Sequence, residues 1–221
     1  MAATREPEQH RLLGGRLCLD FTNTLDGRGG TAPEEFLPDY DALLRWAWYA
    51  GALAPERAER LRQVGARHPA EARRVLQHAG ALREALYAVF AAATHGEAAL
   101  ARDLALVNRE LAEAMRQARL LPAAAAAGSG YRWDWPEEDA TERPDDAKEI
   151  LASVLWPIVR SAAELLIAPE LALVKKCPGI NCGWLFLDTS KNHRRQWCSM
   201  ATCGNRTKAR RHYSQQRSSR E

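Results

Sequence analysis

The 221-residue chain lacks any long run of uncharged apolar residues. Its most apolar stretch, residues 149–168, contains two glutamates and an arginine and is interrupted by Pro157. A membrane-spanning helix needs about 20 nearly uncharged apolar residues, so this stretch is predicted to be a core helix. The opening MAATREPEQHR also lacks the apolar segment and the small-residue cleavage site of a secretory signal. We therefore expect a cytoplasmic protein.

The sequence also lacks the arrangements that mark common catalytic centres. No Ser/His/Asp combination, phosphate-binding glycine loop or pair of carboxylates stands out above chance. Hydrophobic residues make up 46% of the chain and charged residues 27%, which is ordinary for a globular protein. The length suffices for one buried core and a small additional module. We expect a folded protein that is not an enzyme.

Acidic residues are scarce towards the end of the chain. Residues 174–221 hold 11 Lys and Arg but only two acids, Asp188 and Glu221, which gives this segment a net charge of +9. The whole chain carries +3, so residues 1–173 carry −6. Such an uneven distribution indicates a polyanion-binding end attached to a neutral-to-acidic body. A solvated basic tail that aids solubility is the alternative.

Helix-forming residues dominate the chain, and capping residues, prolines and glycines divide it into segments. Asp39 is placed to cap a helix and Gly51 to end it, while Pro55 and Pro69 each stand at the first turn of a further helix. Pro157 is expected to kink the last helix. The pattern predicts five helices, over residues 39–51, 55–68, 69–96, about 97–120 and from Asp145 onwards.

The predicted fourth helix has apolar side chains at the three- and four-residue spacing of an amphipathic helix. These are assigned to its inner face: Leu100, Leu104, Val107, Leu111 and Met115. After a low-complexity connection at residues 123–130, the segment YRWDW alternates aromatic and charged residues. This alternation predicts a short, half-buried strand.

The segment LCLDFTNTL, residues 17–25, fits two kinds of secondary structure. Leu17, Leu19 and Phe21 alternate as in a strand, whereas Leu17, Phe21 and Leu25 stand four apart as in a helix. We expect a short strand that runs into a helical turn.

Two polar residues of this segment, Asp20 and Asn23, are candidates for binding a small-molecule ligand. A few polar groups within apolar walls are typical of a ligand pocket. The alternative, which the residue types favour, is that these side chains cap the chain and bond to nearby backbone groups.

Four of the five cysteines form two pairs with the spacing C-x4-C-x15-C-x4-C: Cys177, Cys182, Cys198 and Cys203. Two disulfides would suit an exported protein, but cytosolic thiols stay reduced. Redox pairs usually have two intervening residues rather than four. Two short chelating loops separated by a dozen or more residues are typical of tetrahedral zinc. Because four thiolates close the coordination shell, we predict one structural Zn²⁺.

The residues around the cysteines predict a loop, a hairpin and a helix. Residues 184–187 form a short apolar strand, the following DTSKNHRR turns, and RQWC is expected to return beside the strand. Asn205 is placed to cap a helix that leaves the last cysteine. This order is the treble-clef arrangement. The predicted fold is therefore mainly α with a small antiparallel β component, comprising an N-terminal helical domain over residues 10–173 and a C-terminal treble-clef-like zinc finger over residues 174–217.

The run C-P-x-x-x-C-G-W-L-F-L-D-x-S-K-N, followed by R-x-W-C-S-M-x-x-C-G-N-R-x-K, resembles the CGNR zinc-finger family over about residues 174–215. LCLDFTNTL is similar to the opening of the ABATE domain, which precedes this finger in bacterial proteins. The resemblance implies a bacterial, stress-linked transcription regulator. It also implies that the finger binds DNA, that its four cysteines hold the zinc and that the N-terminal domain senses or regulates.

The basic residues of the finger are the candidates for contacting DNA. Three lie in the predicted turn, where they would reach phosphates, and four lie on the predicted helix, where arginine can bind phosphate or guanine. Because one module buries little surface, tight specific binding would favour a homodimer. The alternative function is a zinc-stabilised RNA- or protein-interaction module without specific DNA binding. The candidate residues are Lys191, Arg194, Arg195, Arg206, Lys208, Arg210 and Arg211.

Overall fold

The computed structural model describes residues 11–122, 130–135 and 144–210, with side chains in the last segment described from residue 147. Most of residues 123–130, Arg211 and the predicted end of the finger lie outside these ranges. The helices are α1 (Leu17–Thr22), α2 (Tyr40–Tyr49), α3 (Pro55–Arg67), α4 (Pro69–Thr94), α5 (Ala101–Gln117), α6 (Pro144–Ala152) and α7 (Trp156–Ile167). Antiparallel pairs are formed by β1 (Leu25–Asp26) with β2 (Glu34–Glu35), β3 (Arg119–Pro122) with β4 (Tyr131–Asp134), and β5 (Val174–Lys176) with β6 (Leu185–Leu187).

The helix ends of the first half follow the predicted signals. Asp39 caps α2, and its side chain accepts a hydrogen bond from the Ala42 N–H at 2.7 Å. Gly51 follows α2 with a φ of +74°, a conformation that glycine adopts without steric cost. Pro55 and Pro69 begin α3 and α4, as predicted.

The segment around Leu17 is a helix, and the predicted strand is wrong. Residues 18–22 of α1 are all buried, so α1 has no solvent-facing side that would produce an alternating pattern. The hydroxyls of Thr22 and Thr24 donate to the carbonyls of Leu19 and Phe21 at 2.8 and 2.7 Å, within the turn. α1 packs against α4, α7 and β6, which bury it from several directions.

The inner face predicted for the fourth helix is partly wrong. α5 is shorter than predicted, and Leu100, Leu104 and Met115 are exposed. Its buried positions are Val107, Glu110 and Ala114, the last two of which are not large apolar residues. The residues that follow α5 form β3, which pairs with the predicted YRWDW strand, β4, from Arg119 opposite Asp134 to Pro122 opposite Tyr131.

The predicted fifth helix is divided. α6 ends at Ala152, Ser153–Leu155 form a 3₁₀ turn, and α7 begins at Trp156. Pro157 lies in the first turn of α7 and cannot supply an N–H to the carbonyl of Ser153 four residues earlier, which explains the break. The stretch Ala147–Ile167 is long and apolar enough to cross a membrane, but 56% of its most apolar 18-residue window, whose mean hydropathy is 1.7, is buried inside the fold.

One hydrophobic core runs from the helices into the zinc finger. Phe21 and Trp46 are fully buried at its centre, with ring centroids 5.5 Å apart. The same cluster continues through Val174 of β5 and Leu185 and Leu187 of β6. The hairpin of the finger therefore shares its packing with α1 and α4.

The strand partner of β6 differs from the prediction. β6 pairs with β5, with Val174 opposite Leu187, so the hairpin encloses the first two cysteines. Residues 195–198, predicted to return beside β6, do not form a strand, because two of their backbone N–H groups donate to side chains instead of to β6. The Arg195 N–H donates to Asp188 Oδ2 at 2.9 Å, and the Cys198 N–H donates to Cys177 Sγ at 3.4 Å.

Asp20 makes the stability of this fold depend on pH. Its carboxylate is buried, and burial raises the pKa of Asp20 to about 6, against hydrogen bonds from the Gly14 and Leu13 amides. The pKa of Asp20 is higher in the folded state than in the unfolded state. The protonated carboxyl therefore stabilises the fold at low pH, and this stabilisation is lost as the pH rises through the folded-state pKa. Asp20→Asn keeps an acceptor for the Gly14 N–H. We expect the free energy of unfolding of Asp20→Asn, relative to that of the unmodified protein, to increase by about 2 kcal/mol from about pH 4.5 to about pH 7.5.

Urea unfolding across this pH range measures the difference. Asn108→Gln, an exposed amide exchange on α5 that changes no titratable group, is the control and should leave the pH profile parallel to that of the unmodified protein. Parallel profiles for Asp20→Asn and the unmodified protein would contradict the assignment.

Candidate metal centre and nucleic-acid interface

Four cysteine side chains meet between the β5–β6 hairpin and the helical segment that begins at Met200. Cys177 follows β5 and Cys182 precedes β6, while Cys198 and Cys203 flank the start of the helical segment. The four sulfurs lie within 4.8 Å of one another and are buried. All four thiols are free of disulfides. The fold thus brings the two predicted chelating loops together.

The spacing of the sulfurs fits a zinc ion. Cys182 Sγ and Cys198 Sγ are 3.6 Å apart, as are Cys198 Sγ and Cys203 Sγ. Sulfurs at ~2.3 Å from a tetrahedral ion would lie about 3.8 Å from one another. Four thiolates supply every position of such a tetrahedron, so the centre holds one structural Zn²⁺.

Hydrogen bonds favour negative charge on the sulfur of Cys177. The N–H groups of Gly179 and Cys198 donate to Cys177 Sγ, each at 3.4 Å. Bonds from the Cys182 and Cys198 thiols, and then from these amides, lower the pKa of Cys177. The thiolate is the form that binds zinc.

Gly179 has no space for a side chain. A Cβ at this position would lie 2.9 Å from Cys203 Sγ and 3.2 Å from Cys182 Cβ. Both contacts are with metal ligands, which cannot move aside without distorting the tetrahedron. The close approach of the two loops therefore requires glycine here.

We expect Gly179→Ala to weaken zinc binding by about tenfold or more, since crowding a fixed site costs about 1–3 kcal/mol. Competition with a chromogenic chelator measures the affinity. The matched control is Gly80→Ala in α4, where a Cβ meets nothing within 4 Å and should leave zinc affinity unchanged. Equal zinc affinities for Gly179→Ala and Gly80→Ala would show that the loop tolerates a side chain.

Asn23 holds the zinc hairpin against the helical domain. Its side-chain oxygen accepts a hydrogen bond from the Leu185 N–H at 2.9 Å, and its amide donates to the Leu185 carbonyl at 2.8 Å. One buried side chain thus supplies both bonds that a neighbouring strand would give this residue of β6. The hydroxyl of Tyr87, on α4, donates a further hydrogen bond to the Gly183 carbonyl at 2.9 Å.

The loop between β1 and β2 packs against the turn of the zinc hairpin. A Cβ at Gly29 or Gly30 would lie 3.2 or 3.0 Å from Asn181. Asn181 itself has a φ of 61°, in the left-handed region that asparagine tolerates. Arg83 of α4 holds β2, which follows this loop, through two hydrogen bonds to Glu35, at 2.7 and 2.6 Å.

These contacts show how Asp20 and Asn23, the candidate ligand-binding residues, are used in the fold. Asp20 accepts a hydrogen bond from the Gly14 N–H at 2.7 Å, and Asn23 bonds to Leu185. Both are buried. Their contacts match the alternative interpretation of side chains bonded to backbone, and the ligand-binding role stays a prediction without support from these contacts.

We expect Asn23→Asp to destabilise the protein by about 3 kcal/mol, because a carboxylate oxygen would face the Leu185 carbonyl in a buried site. Urea unfolding of the zinc-loaded protein measures this loss. The same exchange at Asn108, which is exposed on α5, is the control and should change stability little. Similar stabilities for the two variants would mean that Asn23 does not hold the hairpin.

Arg195 braces the zinc loop through hydrogen bonds to backbone carbonyls, and its predicted phosphate contact stays a prediction. Its guanidinium donates to the carbonyls of Trp197, Cys198 and Leu13. It also lies over the Phe186 ring, 4.5 Å from the centroid. These contacts engage Nε and Nη2 of the guanidinium in bonds within the protein.

Asp188 organises the turn that carries two of the candidate cations. It is fully buried and accepts hydrogen bonds from Lys175 Nζ at 2.6 Å and Ser190 Oγ at 2.6 Å. Burial alone would raise the pKa of Asp188, but the bonds from Lys175 and Ser190 outweigh it and hold the pKa well below its usual range. Lys191 and Arg194 extend from this turn and are exposed.

The remaining described candidates lie on the final helical segment. Arg206, Lys208 and Arg210 are exposed, and residues 205–210 are helical. The segment begins earlier than predicted, because Ser199 caps it by accepting a hydrogen bond from the Thr202 N–H at 3.3 Å. Asn205 lies inside the helix and is not its cap. Arg211 is outside the described residues.

Sequence reasoning missed the structural roles of three residues that shape the site. Asn23 was singled out, but its partner could not be foreseen because Leu185 lies 162 positions away. Asp188 was noted only as one of two acids in a basic segment, which could have suggested a partner for a nearby lysine. Ser199 could have been found as a capping residue just before the last cysteine loop.

The chain matches two family models, in the order that the sequence resemblance implies. The ABATE model, described as "Putative stress-induced transcription regulator", matches residues 15–169. The CGNR zinc finger model matches residues 174–216. No curated protein matches the chain significantly.

Proposed function

Because the chain belongs to the ABATE family and carries a CGNR zinc finger, we propose that it is a DNA-binding transcription regulator. In this proposal the finger contacts duplex DNA in the bacterial cytoplasm, and the helical domain orients and regulates it. The role is binding, not catalysis. Two copies would act together on a specific site, because one finger buries little surface.

The observation that carries the proposal is the absence of surface acid from the described part of the finger. Residues 174–210 contain eight Lys and Arg and a single acid, Asp188. That acid is fully buried and bonded to Lys175. Even after a tetrathiolate zinc contributes two negative charges, the segment keeps a net charge of +5. Its exposed charge is therefore cationic, as a phosphate-binding surface requires.

The helical segment adds a shape that suits DNA. Arg206 and Arg210 stand four residues apart, so they project from the same face of a helix. A helix fits the major groove of duplex DNA, where arginine pairs with guanine or phosphate. Lys191 and Arg194, on the turn held by Asp188, supply further phosphate contacts.

The alternative of a single-strand RNA module has less support. Proteins that bind single strands stack bases on exposed aromatic side chains. Within residues 174–210, Trp184 and Phe186 are buried beside the zinc cysteines, and Trp197 is half-buried. The described finger surface is charged rather than aromatic.

We expect zinc-loaded protein to retain duplex DNA at low salt, with a logarithmic affinity that falls linearly with logarithmic salt concentration. Replacing Arg206 and Arg210 together by Gln should reduce the magnitude of this slope by about 2 and weaken binding at every sequence. Filter binding at several salt concentrations measures both effects. Selection from a random duplex library then identifies any preferred site.

The matched control replaces two exposed arginines of the helical domain, Arg62 and Arg74, by Gln. This variant loses the same amount of positive charge, but at positions outside the finger, so the salt dependence of DNA binding should be unchanged. Absence of duplex retention at low salt, or stronger binding to single-stranded RNA, would overturn the proposal.

A further inference from the structure

The helix α5 has three different faces along its length. One face is buried against α4 and α7 and contains Val107, Glu110 and Ala114. A second face is charged and exposed, and it consists of Arg102, Arg109, Glu113 and Arg116. A helix with a single packed face is normally polar over the rest of its surface. α5 departs from this pattern, because its third face is exposed but carries no charge.

The third face is a row of positions at three- and four-residue spacing, which places them on one side of the helix. Its large residues are Leu104 and Met115, each 40% exposed, and the half-buried Leu111. We call this row the outer stripe of α5, and its members are Ala101, Leu104, Ala105, Asn108, Leu111, Ala112 and Met115. The stripe has the periodicity of a packed helix, yet the fold of a single chain leaves most of it exposed.

The outer stripe is symmetric about Asn108 in the sizes of its side chains. The other six members form three pairs that are equidistant from Asn108, and each pair joins a large residue to a small one: Ala101 with Met115, Leu104 with Ala112, and Ala105 with Leu111. When two copies of α5 run antiparallel with Asn108 facing Asn108, each large residue therefore meets a small residue of the other copy. This alternation lets the side chains of two helices interdigitate.

Asn108 suits the centre of such a pairing. An amide carries both donors and an acceptor, so two facing Asn108 side chains can each donate to the oxygen of the other. An interface between two copies related by a twofold axis must be complementary to itself. The outer stripe meets this requirement, and it contains no Lys, Arg, Asp or Glu that would bring like charges together. These features favour a second copy of the chain as the partner.

We propose that α5 is a dimerisation helix, which packs through its outer stripe against α5 of a second copy of this chain in antiparallel orientation. The alanines of the stripe allow the two backbones to approach closely, and the leucines and methionines fill the space above them. The stripe is about 21 Å long, so the contact is smaller than the ~800 Å² per partner of a standard interface. We therefore expect a reversible dimer that dissociates at about micromolar concentration.

The inference goes beyond the proposed DNA binding. It supplies the surface through which two copies would act together, but its measurement needs no DNA. A chain that dimerises without binding DNA would contradict only the proposed function. A monomeric chain that binds DNA would contradict only the dimerisation helix.

The test is sedimentation velocity of the zinc-loaded full chain between about 0.1 and about 100 µM, where we expect conversion from monomer to dimer. Leu104→Ala removes a large side chain from each copy, and Ala112→Leu places leucine opposite leucine. Each exchange should weaken dimerisation by about tenfold or more. The double variant Leu104→Ala/Ala112→Leu reverses the large–small pairing and should restore most of the affinity.

A further variant, Asn108→Asp, places two carboxylates opposite each other at the centre of the interface. It should weaken dimerisation by about tenfold or more. Asn108 is exposed in the single chain, so exchanges at this position should change unfolding little at sub-micromolar concentration, where the chain is monomeric. The loss of dimer would then not arise from a loss of fold.

The matched control is Ile167→Ala combined with Ala70→Leu, which makes the same kinds of exchange at exposed positions outside α5. It should leave dimerisation unchanged. A chain that stays monomeric at about 100 µM would assign the outer stripe to a different partner and overturn the proposal. The proposal is also overturned if either single variant dimerises as tightly as the unmodified protein, or if the double variant dimerises no more tightly than the single ones.

Discussion

The closure of four thiolates around one zinc ion determines the geometry of the C-terminal part of the structure. Cys177 and Cys182 hold one end of the β5–β6 hairpin, and Cys198 and Cys203 hold the start of the final helical segment. No strand pairing joins these two pieces in the described residues. The metal therefore fixes the orientation of the helix that carries Arg206 and Arg210 relative to the hairpin, and Arg195 reinforces that link through backbone carbonyls.

The hairpin is in turn part of the helical domain's core. Leu185 and Leu187 face the same cluster as Phe21 and Trp46, while Asn23 bonds to the Leu185 backbone. Few apolar residues are available within the finger, so this shared burial and the metal together supply the free energy that orders it. The boundary between the two family models is thus not a boundary in packing, and the helical domain determines where the cationic surface points.

The sequence predicted what depends on local chemistry. Asp39, Pro55 and Pro69 mark helix starts through capping and a fixed φ, and cysteine spacing reports chelation, so these elements are confirmed. Contacts between segments that are distant in the chain leave no comparable pattern in the sequence, so they could not be predicted from it. Leu17–Thr22 could be assigned to a strand as readily as to a helix, because burial on several sides removes the polar face that distinguishes the two periods. Likewise the sequence placed Arg195 in a basic turn but gave no sign that its guanidinium bonds to backbone carbonyls within the finger.

α4 connects the helical domain to the zinc finger. Its Tyr87 hydroxyl donates a hydrogen bond to the Gly183 carbonyl beside a zinc ligand. One turn earlier, Arg83 donates two hydrogen bonds to Glu35 of β2, which follows the loop that contacts Asn181. The same helix packs on α5 and α6 as well as on β5. The packing of the finger is therefore joined to that of the helical bundle through one element, and the position of α4 determines where the hairpin lies relative to the helical core.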